Sequence, residues 1–499
     1  MKNLNSSSQL SKIRVRIAPS PTGFTHIGTL RTALTNFLFA KKNNGQFVIR
    51  LEDTDQSRFV ENATEDLIRS LKWAGIEWDE GIDLDSQDKI IEKGSYGPYI
   101  QSKRLPIFKK YIQELIDKGQ AYYCFCSPQR LEKMRKEQQK KKEAPRYDKH
   151  CLHLPKSKIE ERLRKKEPYV VRLNVPTEGI TKFNDLIRGE ISIENKLVDD
   201  QILLKSDGYP TYHLAVVVDD HLMKVSHVLR GEEWLSSTPK HILIYQAFGW
   251  KIPKFGHLPQ LLNMNGKKLS KRDGDVGIRD FIKKGYLPQA LLNHIALLGW
   301  NPKTTQEVFS KQDLIDQFDI KKINKAGAKL DYGRLDWVGS QYLKSIDIDD
   351  LFKFTKEYLQ EQKVILDDKK LRKIIIIQKE RISKLSELLE DIEYLVEEKI
   401  SYSKDLLKWK DMNNQDIVAN LEKAKEVIDN ISKEEYTIQA LENKLLDVAK
   451  EKRGELLWPL RVALTGQQKS PSPFECAWVL GKKKTLERIE ETVKMLENV

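Results

Sequence analysis

Between Ile13 and Lys41 the chain passes from a β-branched alternation, Ile13 to Ala18, through a turn-forming run, Pro19 to Gly23, into a segment from Thr29 whose Leu30, Leu34, Phe37 and Leu38 recur at helical spacing. Strand, Gly/Pro loop and helix in that order open a nucleotide-binding α/β unit. A second strand, Gln46 to Leu51, runs into the acidic cluster Glu52, Asp53, Asp55. Parallel strands joined by a helix put both carboxyl ends on one sheet edge, where ligands of doubly wound sheets sit. His26, Ile27, Gly28 and Thr29 fall at the loop-to-helix junction. A helix N-terminus offers unpaired N–H groups and a positive dipole end, Gly28 lets a phosphate approach the backbone, and His26 adds a donor. The spacing therefore predicts a phosphate site. An ordinary helix cap would use the same two residues.

At 499 residues the chain exceeds one hydrophobic core and suggests roughly three domains. A Lys-rich stretch, Lys133 to Lys149, has few apolar anchors and reads as the solvated part of an insertion beginning near Gln101. Strand and helix alternation returns over Asp207 to Trp250, with the apolar run Leu214 to Val218 and the strand-like Ser226 to Leu229, and should complete the first sheet. Beyond Asp350 apolar residues step by three and four (Leu371, Ile374, Ile375, then Ile382, Leu385, Leu389, Ile392, Val396), so the C-terminal third should be helical. Lys and Arg exceed Asp and Glu by 13, which favours a polyanionic partner. A hydrophobic content of 39%, with no apolar run near the roughly 20 residues a bilayer requires, excludes an integral membrane protein. Met1 to Lys12 reads as a disordered polar tail without a secretory signal, and four cysteines argue against a disulfide scaffold. A cytoplasmic enzyme fits these bounds.

Roughly 240 residues after His26, Lys267 to Arg272 (KKLSKR) follows Asn265 and Gly266 in what reads as a mobile loop, with cations placed beside a hydroxyl. Such a loop can close over a triphosphate and neutralise the charge developing on pyrophosphate. HIGT and KLSKR together resemble the paired signatures of class I aminoacyl-tRNA synthetases. APSPTG, IRLEDTD, Gly208 to Pro239, LPQALLNHIALLGW and WPLRVALTG, in that order, resemble the bacterial glutamyl-tRNA synthetases from about residue 13 almost to the end. The resemblance implies an α/β Rossmann-type catalytic domain with an inserted acceptor-binding domain, then a stem-contact domain and an all-α anticodon-binding region. Its boundaries are a tail over 1–12, catalytic halves at 13–100 and 206–265, and an acceptor-stem insertion at 101–205. The KLSKR loop and stem-contact domain take 266–345, and helical subdomains take 346–400 and 401–499. It further implies ATP-dependent ligation of L-glutamate to tRNA(Glu) through a glutamyl-adenylate, with Mg2+ on the phosphates and a monomeric enzyme. Charging of tRNA(Gln) as well stays open. A glutaminyl-tRNA synthetase is disfavoured by the helical C-terminal third and the APSPTG wording. A shortened relative is disfavoured by length.

Glutamate carries two carboxylates and one ammonium, so a selective pocket needs guanidinium or hydroxyl groups and one acid. By resemblance Arg16, Ser20, Glu52, Tyr212 and Arg230 supply them. Arg230 would reject glutamine, because an amide leaves a dry guanidinium unpaired; the alternative for Arg230 is an ion pair with Glu232 or Glu233. His26, Gly28, Lys268, Ser270 and Lys271 are expected on ATP, with His26, Gly28, Lys268 and Lys271 carrying catalysis. Val216 departs from family members that hold the substrate with a polar residue there. Cys124 and Cys126 form a C-x-C, Cys151 follows after 24 residues, and His153 lies two further on. That spacing matches the zinc-bearing form of the family's insertion, implying a structural Zn2+ on Cys124, Cys126, Cys151 and His153, with Tyr147 and His150 as alternative fourth ligands. The pair alone would also suit a buried strand, and Cys476 reads as core.

Overall fold

The computed structural model describes residues 13–270, 274–390 and 393–497, so the tail expected over 1–12, Lys271 and Ile392 lie outside the described residues. The chain divides into two compact units, Met1–Phe281 with Leu291–Tyr332, and Ile282–Ala290 with Gly333–Val499. The division falls inside the segment assigned above to the stem-contact domain.

In the first unit, β1 (Arg14–Ile17) is buried along its length and leads through the proline loop to α1 (Ile27–Lys42). Helix α1 packs Leu30, Ala33, Leu34, Phe37 and Leu38 into the core, the stripe that helical spacing requires. β2 (Gln46–Ile49), α2 (Ala63–Trp73), β3 (Glu80–Leu84) and β4 (Ile90–Lys93) follow. The sheet order is β1-β2-β3-β4, with the first three strands parallel and β4 antiparallel at the edge. α3 (Leu105–Asp117) leads to β5 (Ala121–Cys124), α4 (Pro128–Lys140), α5 (Lys156–Arg164) and β6 (Val170–Leu173). A hairpin of β7 (Ile180–Asp185) and β8 (Gly189–Glu194) precedes β9 (Ile202–Leu204). Only β5, β6 and β9 form the insertion's own antiparallel sheet. As its composition requires, α4 buries no side chain.

α6 (Tyr212–Leu222) contains the apolar run Leu214 to Val218, all of it buried. β10 (His227–Gly231), α7 (Thr238–Phe248), β11 (Lys254–Leu258) and β12 (Leu261–Leu262) come next. β10 lies beside β1, with Ser226 N–H donating to the Arg14 carbonyl at 2.9 Å, but the later strands pair in a second four-stranded sheet, β10-β11-β7-β8, rather than extending the first as expected. β11 pairs in parallel with β10 and, at Phe255 opposite Asp185, with β7. The β7–β8 hairpin of the insertion is therefore attached to the catalytic sheet.

The second unit is helical among its described residues, including Ile348–Glu361, Asp368–Gln378, Asn414–Asp429, Ile438–Ala449, Arg453–Thr465 and Lys482–Glu497. Side chains of Asp347, Asp367, Asn413, Thr437 and Ser472 cap five of its helices at the N-terminus, satisfying donors a helix cannot pair internally. Ile374, Leu421, Leu445, Leu460 and Cys476 meet in one core. Among the described residues the three-and-four stepping from Ile382 falls on Leu385–Glu390 and Glu393–Val396, both helical. Among the described residues no helix is long and apolar enough to cross a membrane.

Candidate active site

The loop after β1 is fixed from outside. Glu52 N–H donates to the Pro19 carbonyl (2.9 Å) and Val60 N–H to that of Pro21 (2.8 Å). His26 then takes an extended backbone, φ −114° and ψ 164°, and caps α1. Its Nδ1 accepts from Gly28 N–H at 3.0 Å and Thr29 N–H at 3.3 Å. These donors were expected to be unpaired; the imidazole holds them instead, because an extended N-cap residue aims its side chain back over the first turn. With Nδ1 accepting, the ring proton sits on Nε2, 3.4 Å from the Thr29 hydroxyl. A Cβ on Gly28 would lie 2.9 Å from Cε1 of that ring. Gly28 is thus needed for the histidine as much as for any phosphate.

The lysine motif starts in a hairpin. Leu269 N–H donates to Leu261 (2.9 Å) and Asn263 N–H to Lys267 (2.8 Å), while Gly266 turns the chain at φ +77°. Of the segment Lys267 to Arg272 expected as a mobile loop, Lys267 to Leu269 form the return arm of a paired hairpin that carries Lys268 and Ser270 to the site, while Lys271 and Arg272 lie outside the described residues. Beyond it the chain returns beside the first motif. Ile27 N–H donates to Val276 and Ile278 N–H to Thr25, at 2.8 and 2.9 Å. Buried Asp66 accepts Thr25 N–H at 2.7 Å and pairs with Arg279. The segment just beyond the lysine motif is therefore joined to the first signature by backbone hydrogen bonds.

Between them opens a cleft of about 1000 Å³. Arg16, Ser20, His26, Gly28, Glu52, Tyr212, Arg230, Lys268 and Ser270 all line it. At its floor Arg16 Nε meets Asp220 (3.0 Å), Arg50 meets Asp220 (2.7 Å) and Glu52 (2.9 Å), and Arg104 meets Asp219 (2.7 Å). Three buried cations thus balance three buried carboxylates. Burial pushes Glu52 above the usual carboxylate range, with Arg50 opposing it.

Arg230, 5% exposed, is different. Its Nε donates to His257 Nε2 (3.1 Å), one terminal nitrogen to Tyr212 Oη (2.9 Å) and His241 Nδ1 (3.2 Å), the other to Thr238 Oγ1 (2.9 Å) and the Trp234 carbonyl (3.3 Å). The alternative ion pair with Glu232 or Glu233 does not form; Glu232 pairs with Arg188 instead. Among the described residues Arg230 has no carboxylate partner. A desolvated guanidinium with only neutral partners, opening on a cleft, is a site for an anion.

In the insertion, the thiol sulfurs of Cys124, Cys126 and Cys151 lie within 4.8 Å of one another. Tyr147, buried, sets its hydroxyl 3.3 Å from Cys124 Sγ and 3.2 Å from Cys126 Sγ. His153, expected as the fourth ligand, is exposed and outside this group, as is His150. Sequence spacing could not choose among the three, because the turn between Lys149 and His153 decides which side chain points inward. The Cys151 thiol pulls Cys124 well below the usual thiol range, and Arg172 stacks 4.0 Å from the Tyr147 ring. Three thiols and a phenol so gathered suit a soft, tetrahedral metal ion.

Residues 12–337 match the family of class I tRNA synthetases (E and Q), catalytic domain, and residues 350–493 match an anticodon binding domain. A glutamate–tRNA ligase of Clostridioides difficile (strain 630) is 44% identical over 485 residues, spanning 96% of this chain and 98% of that protein. The chain belongs to the class I glutamate–tRNA ligase family. Another ligase so named, from Clostridium tetani (strain Massachusetts / E88), is 44% identical over 494 residues, covering 98% of this chain and 99% of its own. The crystal structure of a glutamate tRNA ligase from Elizabethkingia meningosepticum CCUG26117, in complex with its amino acid, superposes with a TM-score of 0.86 at 34% identity, covering 97% of this chain and all of that one. Like its relatives this family member joins a Rossmann-like catalytic domain to a helical anticodon-binding domain. Val216 is buried in α6 and does not line the cleft, so no polar contact comes from there. Arg31, His241, His257 and Asp185 escaped the sequence reading. Arg31 had a signal, since it stands one turn into the helix that His26 caps, and it lines the cleft.

Proposed function

We propose that the cleft activates L-glutamate with ATP and passes the glutamyl group to the terminal adenosine of tRNA(Glu). The chain is a glutamate–tRNA ligase. What supports the two-step chemistry is that all described candidates from five separate segments line one cleft, in which buried Arg230 is held by neutral groups and has no carboxylate partner among the described residues. Arg230 and Tyr212 take the substrate side-chain carboxylate, Arg16 and Ser20 the α-carboxylate, and Glu52 the ammonium. The α-carboxylate attacks the α-phosphorus of ATP, and neither step calls for a protein nucleophile. Positioning and cations supply the catalysis. His26 Nε2–H and Gly28 address the phosphates from the helix end. Lys268, Ser270 and Lys271 neutralise the departing pyrophosphate. Mg2+ on the phosphates would supply further charge neutralisation. The tRNA ribose 2′-hydroxyl then attacks the adenylate.

Cys124, Cys126, Cys151 and Tyr147 would hold a Zn2+ whose role is to tie the base of the Lys-rich stretch to β5. We assign 13–100 and 206–265 to the catalytic halves, 101–205 to acceptor-stem binding, 266–345 to the KLSKR loop and stem contact, and 346–400 and 401–499 to anticodon binding. The enzyme acts as a cytoplasmic monomer. Incubation with ATP and labelled glutamate or glutamine, with and without tRNA, tests the reading: glutamate should appear on tRNA(Glu), and charging of glutamine in its place would overturn it.

A further inference from the structure

Arg230 must be held firmly without being neutralised, because a resident carboxylate would take the place of the substrate's. The register of the sheet pairs Arg230 with His257 across β10 and β11, and β7 brings Asp185 to the far side of that ring. Asp185 Oδ2 meets His257 Nδ1 at 2.6 Å, both side chains being fully buried. Asp185 Oδ1 is already engaged by backbone N–H groups of Ile187 (3.0 Å), Arg188 (2.9 Å) and His257 (3.3 Å). The carboxylate therefore fixes the imidazole proton on Nδ1, and Nε2 faces Arg230 Nε–H as an acceptor. On the other side His241 Nδ1 accepts from Arg230, which leaves His241 Nε2–H to donate to His213 Nδ1 at 3.0 Å.

We propose that His257, set by Asp185, and His241, set by His213, are positioning residues that orient the Arg230 guanidinium while leaving its charge for the substrate's side-chain carboxylate. They deepen the glutamate reading and rest on it. Burial lowers His257 and His241, consistent with neutral acceptors. Both rings must stay neutral, since a proton on either would set donor against donor and cation against cation. The same geometry disfavours glutamine, whose amide would offer N–H groups to a guanidinium that no other anion satisfies.

Asp185→Asn tests this with almost no change in shape. The backbone donors at Oδ1 hold the amide oxygen there, so the amide nitrogen faces His257 Nδ1, the ring proton moves to Nε2, and a donor then meets Arg230 Nε–H. Aminoacylation with glutamate should show KM raised about 10- to 100-fold, the effect of losing one hydrogen bond to a charged group. The kcat should stay within about threefold, and discrimination against glutamine should narrow. His257→Gln, which keeps an acceptor near the Nε2 position, should recover most of the glutamate KM, whereas His257→Leu should not. If Asp185→Asn and His257→Leu both charge glutamate with unchanged KM, or if kcat falls while KM holds, the positioning role is wrong. If the wild-type protein does not charge glutamate, the reading of the cleft falls first.

Discussion

Two buried arginines near the cleft should respond differently to the same substitution. Arg50 is fully buried against Glu52 (2.9 Å), Asp220 (2.7 Å) and, at 3.7 Å, Asp219. Arg50→Met leaves three buried carboxylates facing Arg16 and Arg104 alone. Breaking a buried pair costs about 3–5 kcal/mol, and at about 2–3 °C per kcal/mol for a unit of this size the unfolding midpoint should fall by roughly 6–15 °C. Arg230→Met loses hydrogen bonds to neutral partners but also removes a desolvated cation that has no carboxylate partner, whose penalty is several kcal/mol. These nearly cancel, so its midpoint should stay within about 3 °C. Its activity should not survive: losing one side of a buried charge pair with substrate costs about 2–5 kcal/mol, or roughly 30- to 5000-fold in kcat/KM for glutamate. Thermal unfolding and aminoacylation kinetics measured on both variants decide the matter. An Arg230→Met protein that melts as early as Arg50→Met, or that keeps kcat/KM within threefold, would refute a guanidinium kept for the substrate.

Gly28→Ala should drive a methyl group against the His26 ring, 2.9 Å from Cε1, and lower kcat/KM for ATP about 10- to 100-fold in pyrophosphate exchange measured with tRNA present, with glutamate KM little changed. Elemental analysis of chelator-washed protein should find about one zinc per chain. His153→Ala should retain that zinc, and Tyr147→Phe should lose much of it; the reverse pattern would restore the histidine as ligand. Burial lowers His213 and His227 to about 4. Unfolded, both titrate near 6.5, so the folded protein binds fewer protons between those values, and stability should be full above about pH 6.5 and fall as pH drops toward 4. Urea midpoints across that range check the sign, and His227→Gln should flatten part of the slope.

Much of the site was legible because class I chemistry sits beside strand ends and helix starts, which leave local marks. Arg16 lies in β1, Ser20 and His26 on the loop after it, Gly28 at the start of α1 and Glu52 just after β2, so alternation and turn residues mark the segments that carry them. The helical third was equally plain from its three-and-four stepping, which recurs in Asp368–Gln378, Leu385–Glu390 and Glu393–Val396. His257 and Asp185 left no mark. Each looks in sequence like an ordinary strand residue, and only the parallel pairing of β10 with β11 and of β11 with β7 sets them around Arg230.

Side-chain chemistry and local periodicity are properties of the chain read in order, and they determined the nucleotide-binding opening, the lysine motif and the cysteine triad, while the resemblance of ordered motifs supplied the candidate glutamate ligands. How a charge is paired is settled through space. Tertiary structure alone decided that Arg16, Arg50 and Arg104 are matched by buried carboxylates while Arg230 is not. It decided too that Tyr147 rather than His153 meets the thiols, and that His26 covers the helix donors it was expected to leave open. In each case the deciding partner comes from another segment or from the turn of a few residues of backbone, and neither composition nor spacing records which way a side chain points.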